Sequence, residues 1–189
     1  KTYRGVIQLG ISTNTDDLQG EELSRQSVPD LGPETLEQEL SRFRGAISQQ
    51  PPQVSAVHVD GERAYARARR GEQMELAARP VTIHQLHLLG WDAAQAQLSV
   101  EVHCSAGTYI RSLARDLGAA LGCGGCLASL RRTQALGFHD HQAVSLPEAP
   151  DVVGQGEMSL LQPELALPHL PKRLLTASEQ LDWSCGRRI

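Results

Sequence analysis

The chain has 189 residues and a formal charge of −4, with 40% hydrophobic and 21% charged residues. This is material for one domain with part of a second and for a sizeable core, and the acidic balance argues against a generally basic, nucleic-acid-coating surface. No apolar run approaches the roughly 20 residues that cross a membrane, and the first residues do not read as a signal peptide.

Val6, Ile7 and Leu9 predict a strand over residues 3–9. STNTDDLQGE, residues 12–21, is polar and rich in turn formers, with Asp16, Asp17 and Gly20. From Pro33 the apolar positions Leu36, Leu40 and Phe43 recur at four and three residues, which predicts a helix in PETLEQELSRF that starts on Pro33 and ends before Gly45. In QQPPQVSAVHVDG two prolines force an extended entry. Val54, Val57 and Val59 then favour a strand, and Asp60-Gly61 a turn. ERAYARARRG consists of helix formers and stops at Gly71.

Residues 80–89 and 97–104 predict an antiparallel pair. In QLSVEVHC, Leu98, Val100, Val102 and Cys104 alternate with polar residues, so one face is buried and the other wet. A Ser-Ala-Gly-Thr turn leads to a helix burying Ile110, Leu113, Leu117 and Leu121, with Thr108 as its expected N-cap and Arg111 near its third position. CLASLRR reads as a second short helix presenting Leu127 and Leu130, and ALGF as a returning strand. After about Leu146 the texture becomes rich in Pro and Gly. Without a βαβ rhythm, these elements predict the α+β class.

Arg111 sits where the positive end of a helix dipole disfavours a cation by a few tenths to about 1 kcal/mol. Two readings stand: an anionic partner, carboxylate or phosphate, or a solvated surface arginine. The 18 basic residues include only two lysines, Lys1 and Lys172, so the other 16 are arginines. Arg63, Arg67, Arg69 and Arg70 cluster around Tyr65, Arg111 and Arg115 are four apart, and Arg131 adjoins Arg132. Arginine forks match phosphates and stack on bases, although a short solvated helix would also account for the first cluster. Cys123 and Cys126 form a lone C-x-x-C with no second ligand pair, so buried apolar thiols at a tight junction are expected ahead of a metal or redox site. His103 and Cys104 are adjacent on a strand and point to opposite faces, which rules them out as a catalytic pair. Reduced thiols suggest the cytoplasm.

Four segments, in order, carry a resemblance. KTYRGVIQLGISTNTDDLQGE is similar to a tyrosine-bearing segment followed by a T-x-T-x-D-x-x-G turn. QQPPQVSAVHVDGERAYARARRGE is similar to P-P-x-x-S-A-x-x-x-x-G-x-x-x-Y-x-x-A-R-x-G. VHCSAGTYIRSLARDLGAALG resembles C-S-x-G-T-Y-I-R, and LASLRRTQALGF resembles L-R-R-T-x-x-G-x-F. Together, over about residues 1–140, they resemble the TruB-type family of tRNA pseudouridine synthases.

The resemblance implies a mainly antiparallel sheet flanked by helices and a cofactor- and metal-free isomerase. Its substrate would be uridine 55 in the T arm of tRNA, flipped out of its stack before reaction. An aspartate would attack the nucleotide, and the detached uracil would turn and rejoin through carbon 5. By matching motifs, Tyr3 would stack on the uracil, Arg111 would pair with the catalytic aspartate, and Leu130 would form part of the apolar pocket wall. Asp17 would be the turn aspartate near the cleft. On the RNA side, Arg63, Tyr65, Arg67, Arg69 and Arg70 would lie in a thumb spanning about residues 55–80.

The family's nucleophilic aspartate lies in a G-x-L-D-P motif upstream of the tyrosine, and this sequence has no such motif. The chain is therefore expected to be inactive alone, with Arg111 lacking its carboxylate; a non-catalytic RNA-binding module is the alternative. Opening within a strand and closing on CGRRI, both ends read as cut. The expected organisation is a catalytic domain over 1–146, a linker over 147–163 and the start of a PUA-like domain over 164–189. The full-length enzyme is expected to be a monomer.

Overall fold

A computed structural model describes residues 1–143, 145 and 161–189. These form two compact units, one of Lys1–Ala135 with His139–Gln142, the other of Leu136–Phe138 with residues from Ala143 on. Most of the expected linker, 147–160, lies outside the described residues.

The elements run β1 (Thr2–Leu9), β2 (Ile11–Thr13), β3 (Glu22–Arg25), α1 (Pro33–Ser41), β4 (Gly45–Gln49), β5 (His58–Val59), β6 (Glu62–Arg63), α2 (Ala64–Arg69), β7 (Arg79–Asp92), β8 (Gln97–Cys104), α3 (Ile110–Ala120), β9 (Gly125–Ala135), β10 (Phe138–His139) and α4 (Ala177–Ser184). The main sheet has the order β10-β9-β1-β8-β7-β4. Its pairings β1–β8, β1–β9, β4–β7 and β7–β8 are antiparallel, in keeping with the α+β expectation.

One sheet face is apolar because the strands alternate. Leu98, Val100, Val102 and Cys104 of β8 are buried, as are Tyr3, Ile7 and Leu9 of β1. Against them pack Leu36 and Leu40 of α1 and Ile110, Leu113, Ala114 and Leu117 of α3 in one cluster. Each fully buried aliphatic side chain contributes about 1.5–3 kcal/mol.

The segment read as a second short helix, CLASLRR, is instead part of β9. Leu127 and Leu130 are three apart, which reads as helical, but a register shift supplies the same effect on a strand. Ile7 pairs with Leu127 and Val6 with Ser129, so Ala128 is skipped. Both leucines thus reach the same side, and the Cδ1 atoms of Leu127 and Leu130 lie 3.4 and 3.6 Å from where a Cβ on Gly5 would stand.

Three smaller differences follow from tertiary pairing. The loop reading of residues 12–21 is flanked by the short hairpin β2–β3. The strand expected through Val54 is confined to His58–Val59, and the helix expected from Glu62 begins at Ala64. The N-cap of α3 is Tyr109 rather than Thr108, whose hydroxyl donates to the Ser105 carbonyl (3.1 Å), so Arg111 is the second helical residue.

In the second unit, α4 opens with a capping box. The Thr176 hydroxyl accepts from Glu179 N–H (3.4 Å), and the Glu179 carboxylate accepts from Thr176 N–H (2.9 Å). No helix among the described residues is long and apolar enough to cross a membrane.

Candidate active site

The polar side of α3 organises the site. Gln49, at the end of β4, is buried and clasps the helix start, accepting from Tyr109 N–H (2.9 Å) and donating to its carbonyl (3.1 Å). The Ser112 hydroxyl donates to the Gln50 carbonyl (2.8 Å). These bonds fix the Gln50–Val54 segment alongside the helix.

Arg111 and Arg115, one turn apart, each bridge two loops. Arg111 donates to the Thr15 carbonyl (3.0 Å), to Asp17 Oδ2 (3.2 Å) and, on the other side, to the Val54 carbonyl (2.9 Å). Arg115 donates to Asp16 Oδ2 (2.9 Å), to the Gln50 carbonyl (2.9 Å) and to its neighbour Asp116 (2.9 Å).

The expectation that Arg111 lacks a carboxylate is therefore corrected: Asp17 is its partner, with both side chains about three-quarters buried. A hydrogen bond to a charged group is worth about 1.5–3 kcal/mol, more than the dipole's opposition to a cation. Of the two sequence readings, the anionic partner wins over the solvated arginine.

The turn that delivers Asp17 is tightly determined. The Thr13 hydroxyl donates to the Asp17 carbonyl (2.7 Å), and Asp17 Oδ1 accepts from the Thr15 hydroxyl (2.7 Å) and Gln19 N–H (3.1 Å). Asp16 adopts φ 60°, a left-handed conformation that aspartate tolerates better than most residues. Burial pushes its carboxyl above the ordinary range, outweighing the opposing pull of Arg115. Backbone bonds sew the turn to β9, from Leu127 N–H to the Asp16 carbonyl (2.9 Å) and from Leu18 N–H to the Leu127 carbonyl (3.0 Å).

The remaining expected site residues lie on β1 and β9. Tyr3 is buried on the core face of β1, opposite Arg132 in register, and the Arg132 guanidinium carbon stands 5.4 Å from its ring centroid. Leu130, opposite Gly5, is 47% exposed, so it forms an accessible apolar edge rather than core. An open cleft of about 580 Å³ is lined in part by Asn14, Asp16, Gln50, Val54, Met74 and Arg115; Tyr3, Arg111 and Leu130 do not line it.

Sequence reasoning did not anticipate three of these roles: Asp17 as the direct partner of Arg111, Asp16 as that of Arg115, and Arg132 over Tyr3. The four-residue spacing of the two arginines opposite adjacent aspartates was the available signal for the first two. The third depends on strand register, which a helical reading of residues 126–132 conceals.

The expected RNA-side residues fall in distinct surroundings. Arg67 donates to Glu72 (2.7 Å) and Asp60 (3.3 Å). Arg70 contacts both oxygens of Glu62 (2.5 and 2.8 Å) and also Glu72 (2.9 Å). Arg63 donates to the Ala56 carbonyl. Arg69 stands over the Tyr65 ring, 5.4 Å from the centroid.

Cys104, Cys123 and Cys126 are buried free thiols. Burial raises all three, Cys126 to about 11 with a further push from Asp17 and Asp16. Among the described residues no group of three or more His, Cys, Asp or Glu is arranged to hold a metal ion.

The family model described as TruB family pseudouridylate synthase (N terminal domain) matches residues 1–110. The chain belongs to the TruB family. A second model, the tRNA pseudouridylate synthase B C-terminal domain, matches residues 111–164; the junction falls inside the first turn of α3 and does not divide the structure. The chain is 69% identical over 193 residues to the tRNA pseudouridine synthase B of Synechococcus sp. (strain WH7803) and 68% identical over 189 residues to that of Parasynechococcus marenigrum (strain WH8102). All of this chain is covered in both comparisons, but it spans only 64% of the length of either relative. Among solved structures, a Cbf5-Nop10-Gar1 complex is similar at 25% identity with a TM-score of 0.48, over 71% of this chain and 30% of that one.

Proposed function

We propose that this chain is part of a tRNA pseudouridine synthase that isomerises uridine 55 of the T arm without cofactor or metal. Membership of the TruB family supports the reaction class, as do the names of the relatives. The observation that carries the reading is Arg111, held from three directions by the Thr15 and Val54 carbonyls and Asp17. A carboxylate nucleophile must stay ionised and aimed at the sugar carbon, and a fixed guanidinium meets both needs.

In this reading the flipped uracil stacks on Tyr3 and rests against the exposed edge of Leu130, while Arg111 orients the attacking carboxylate. The thumb around Tyr65 holds the T loop, and Asp17 ties the turn beside the cleft to Arg111. Residues 164–189 begin a PUA-like domain. The enzyme works in the cytoplasm as a monomer.

The chain contains no G-x-L-D-P segment, so it binds T-arm RNA but does not isomerise it. The test is tritium release from a T-arm stem-loop carrying 5-tritiated uridine, run beside a binding titration of the same RNA. Binding without release is expected from this chain, and release once a G-x-L-D-P segment precedes it in one polypeptide. Turnover by the chain alone would assign the nucleophile to another residue, and absence of binding would overturn the RNA reading.

A further inference from the structure

The thumb is a small structure with its own core. Ala64, Met74 and Leu76 are buried in it, with Val57, Val59 and Ala68 packed against them. Ala64 and Ala68 put one side of α2 onto this core. Tyr65 and Arg69, also four apart, share the neighbouring side.

The four arginines around α2 are not equivalent. Arg67 and Arg70 are cross-braced by Asp60, Glu62 and Glu72, with Glu72 shared between them. Those bonds hold the Glu62 and Glu72 carboxyls below their ordinary range. Arg63 ties the β5–β6 hairpin to the Ala56 carbonyl. Among the described residues Arg69 has no carboxylate within ion-pair distance. Its planar guanidinium instead faces Tyr65, which is 39% exposed.

An arginine shared between carboxylates presents little net charge outward, and a phosphate could recruit it only by breaking bonds that hold the thumb together. An arginine on an aromatic face keeps both its charge and a stacking plane. We infer that the Tyr65–Arg69 side of α2 is the thumb's RNA-contacting surface, taking an unpaired base of a single-stranded loop together with its phosphate, while Arg63, Arg67 and Arg70 serve to fold the thumb. This rests on the RNA-binding reading above and narrows it to two of the five thumb residues.

The test is fluorescence anisotropy of a labelled T-arm stem-loop with the full chain, titrated over a series of salt concentrations. Arg69→Gln lowers affinity about tenfold and reduces the slope of log K against log salt by about one charge. Arg69→Lys keeps the slope but loses part of the affinity, because the stacking plane is gone. Tyr65→Leu loses about five- to tenfold with the slope unchanged. The charge-conserving pairs Arg70→Gln with Glu62→Gln, and Arg67→Gln with Asp60→Asn, leave the slope as it is and speed amide exchange across residues 56–74. An unchanged slope in Arg69→Gln would overturn the inference. So would a lowered slope in either paired variant with amide exchange unaltered. No binding by the wild-type chain would remove the RNA reading and this inference together; the other outcomes bear on the division of labour alone.

Discussion

Gly118 lies inside α3, where helix propensity alone favours alanine by about 0.5–1 kcal/mol. The structure reverses that sign. A Cβ at 118 would stand 2.2 Å from Gly124 C and Gly125 N and 2.5 Å from Gly124 O. These are backbone atoms, and Cys123 N–H and Gly124 N–H both donate to the Gly118 carbonyl (3.1 and 3.0 Å), so no side chain can rotate away. Relief requires α3 and the start of β9 to separate by about 1 Å in a close-packed interior. Overpacking of this kind costs about 1–3 kcal/mol, and weakening two backbone bonds adds about 1 kcal/mol each. After the helical gain, Gly118→Ala is expected to lose about 3 kcal/mol, a fall in Tm of about 6–12 °C for a unit of this size. Thermal melts followed by circular dichroism measure it, with Gly90→Ala as the control, since a Cβ at Gly90 meets nothing within 4 Å. A Tm for Gly118→Ala equal to or above that of the wild type would refute the packing argument.

Two further outcomes concern titrating groups. Burial raises the Asp16 carboxyl, so the folded chain holds that proton more tightly than the unfolded one. The group's contribution to stability is therefore greatest at low pH and falls as pH rises through its folded value, opposite to an aspartate whose ion pair dominates. Asn tolerates the left-handed backbone and does not ionise, so the Tm of Asp16→Asn relative to wild type should rise as the pH climbs from the ordinary carboxylate range through the raised folded value of Asp16 and then level off; a difference that shrinks with pH would contradict this. For the cysteines, a disulfide reagent at neutral pH should modify exposed Cys185 quickly and Cys104, Cys123 and Cys126 only on unfolding. Rapid modification of Cys123 or Cys126 in the native chain would show that the junction around Gly124 opens, and of Cys104 that the end of β8 does.

The fold was most legible where burial alternates on a single element. The strand over 97–104, its antiparallel partner and the helix burying Ile110, Leu113 and Leu117 follow from periodicity alone. It was least legible where partners are distant in sequence. β9 was concealed because a bulge at Ala128 gives its leucines a helical spacing, and a bulge shows only once a second strand lies beside it. The site divides in the same way. Arg111 was marked out by local physics, as a cation at the wrong end of a dipole. Its partner Asp17 is 94 residues away, brought in by β9 bonds that no local pattern encodes. In the thumb, composition revealed the arginines but not which of them the neighbouring acids had already engaged.

The two-loop bridging by α3 has a consequence for how this chain can vary. Three of the acceptors that Arg111 and Arg115 use are main-chain carbonyls, those of Thr15, Val54 and Gln50. Every amino acid supplies such an oxygen, so these three bonds ask nothing of the side chains that carry them, although the Thr15 hydroxyl separately holds Asp17 (2.7 Å) and the Gln50 amide donates to the Leu76 carbonyl (3.2 Å). The wall can be repainted at residue 54 while its spacing is preserved, which makes that position a natural site for diversifying a binding surface and the two arginines poor ones.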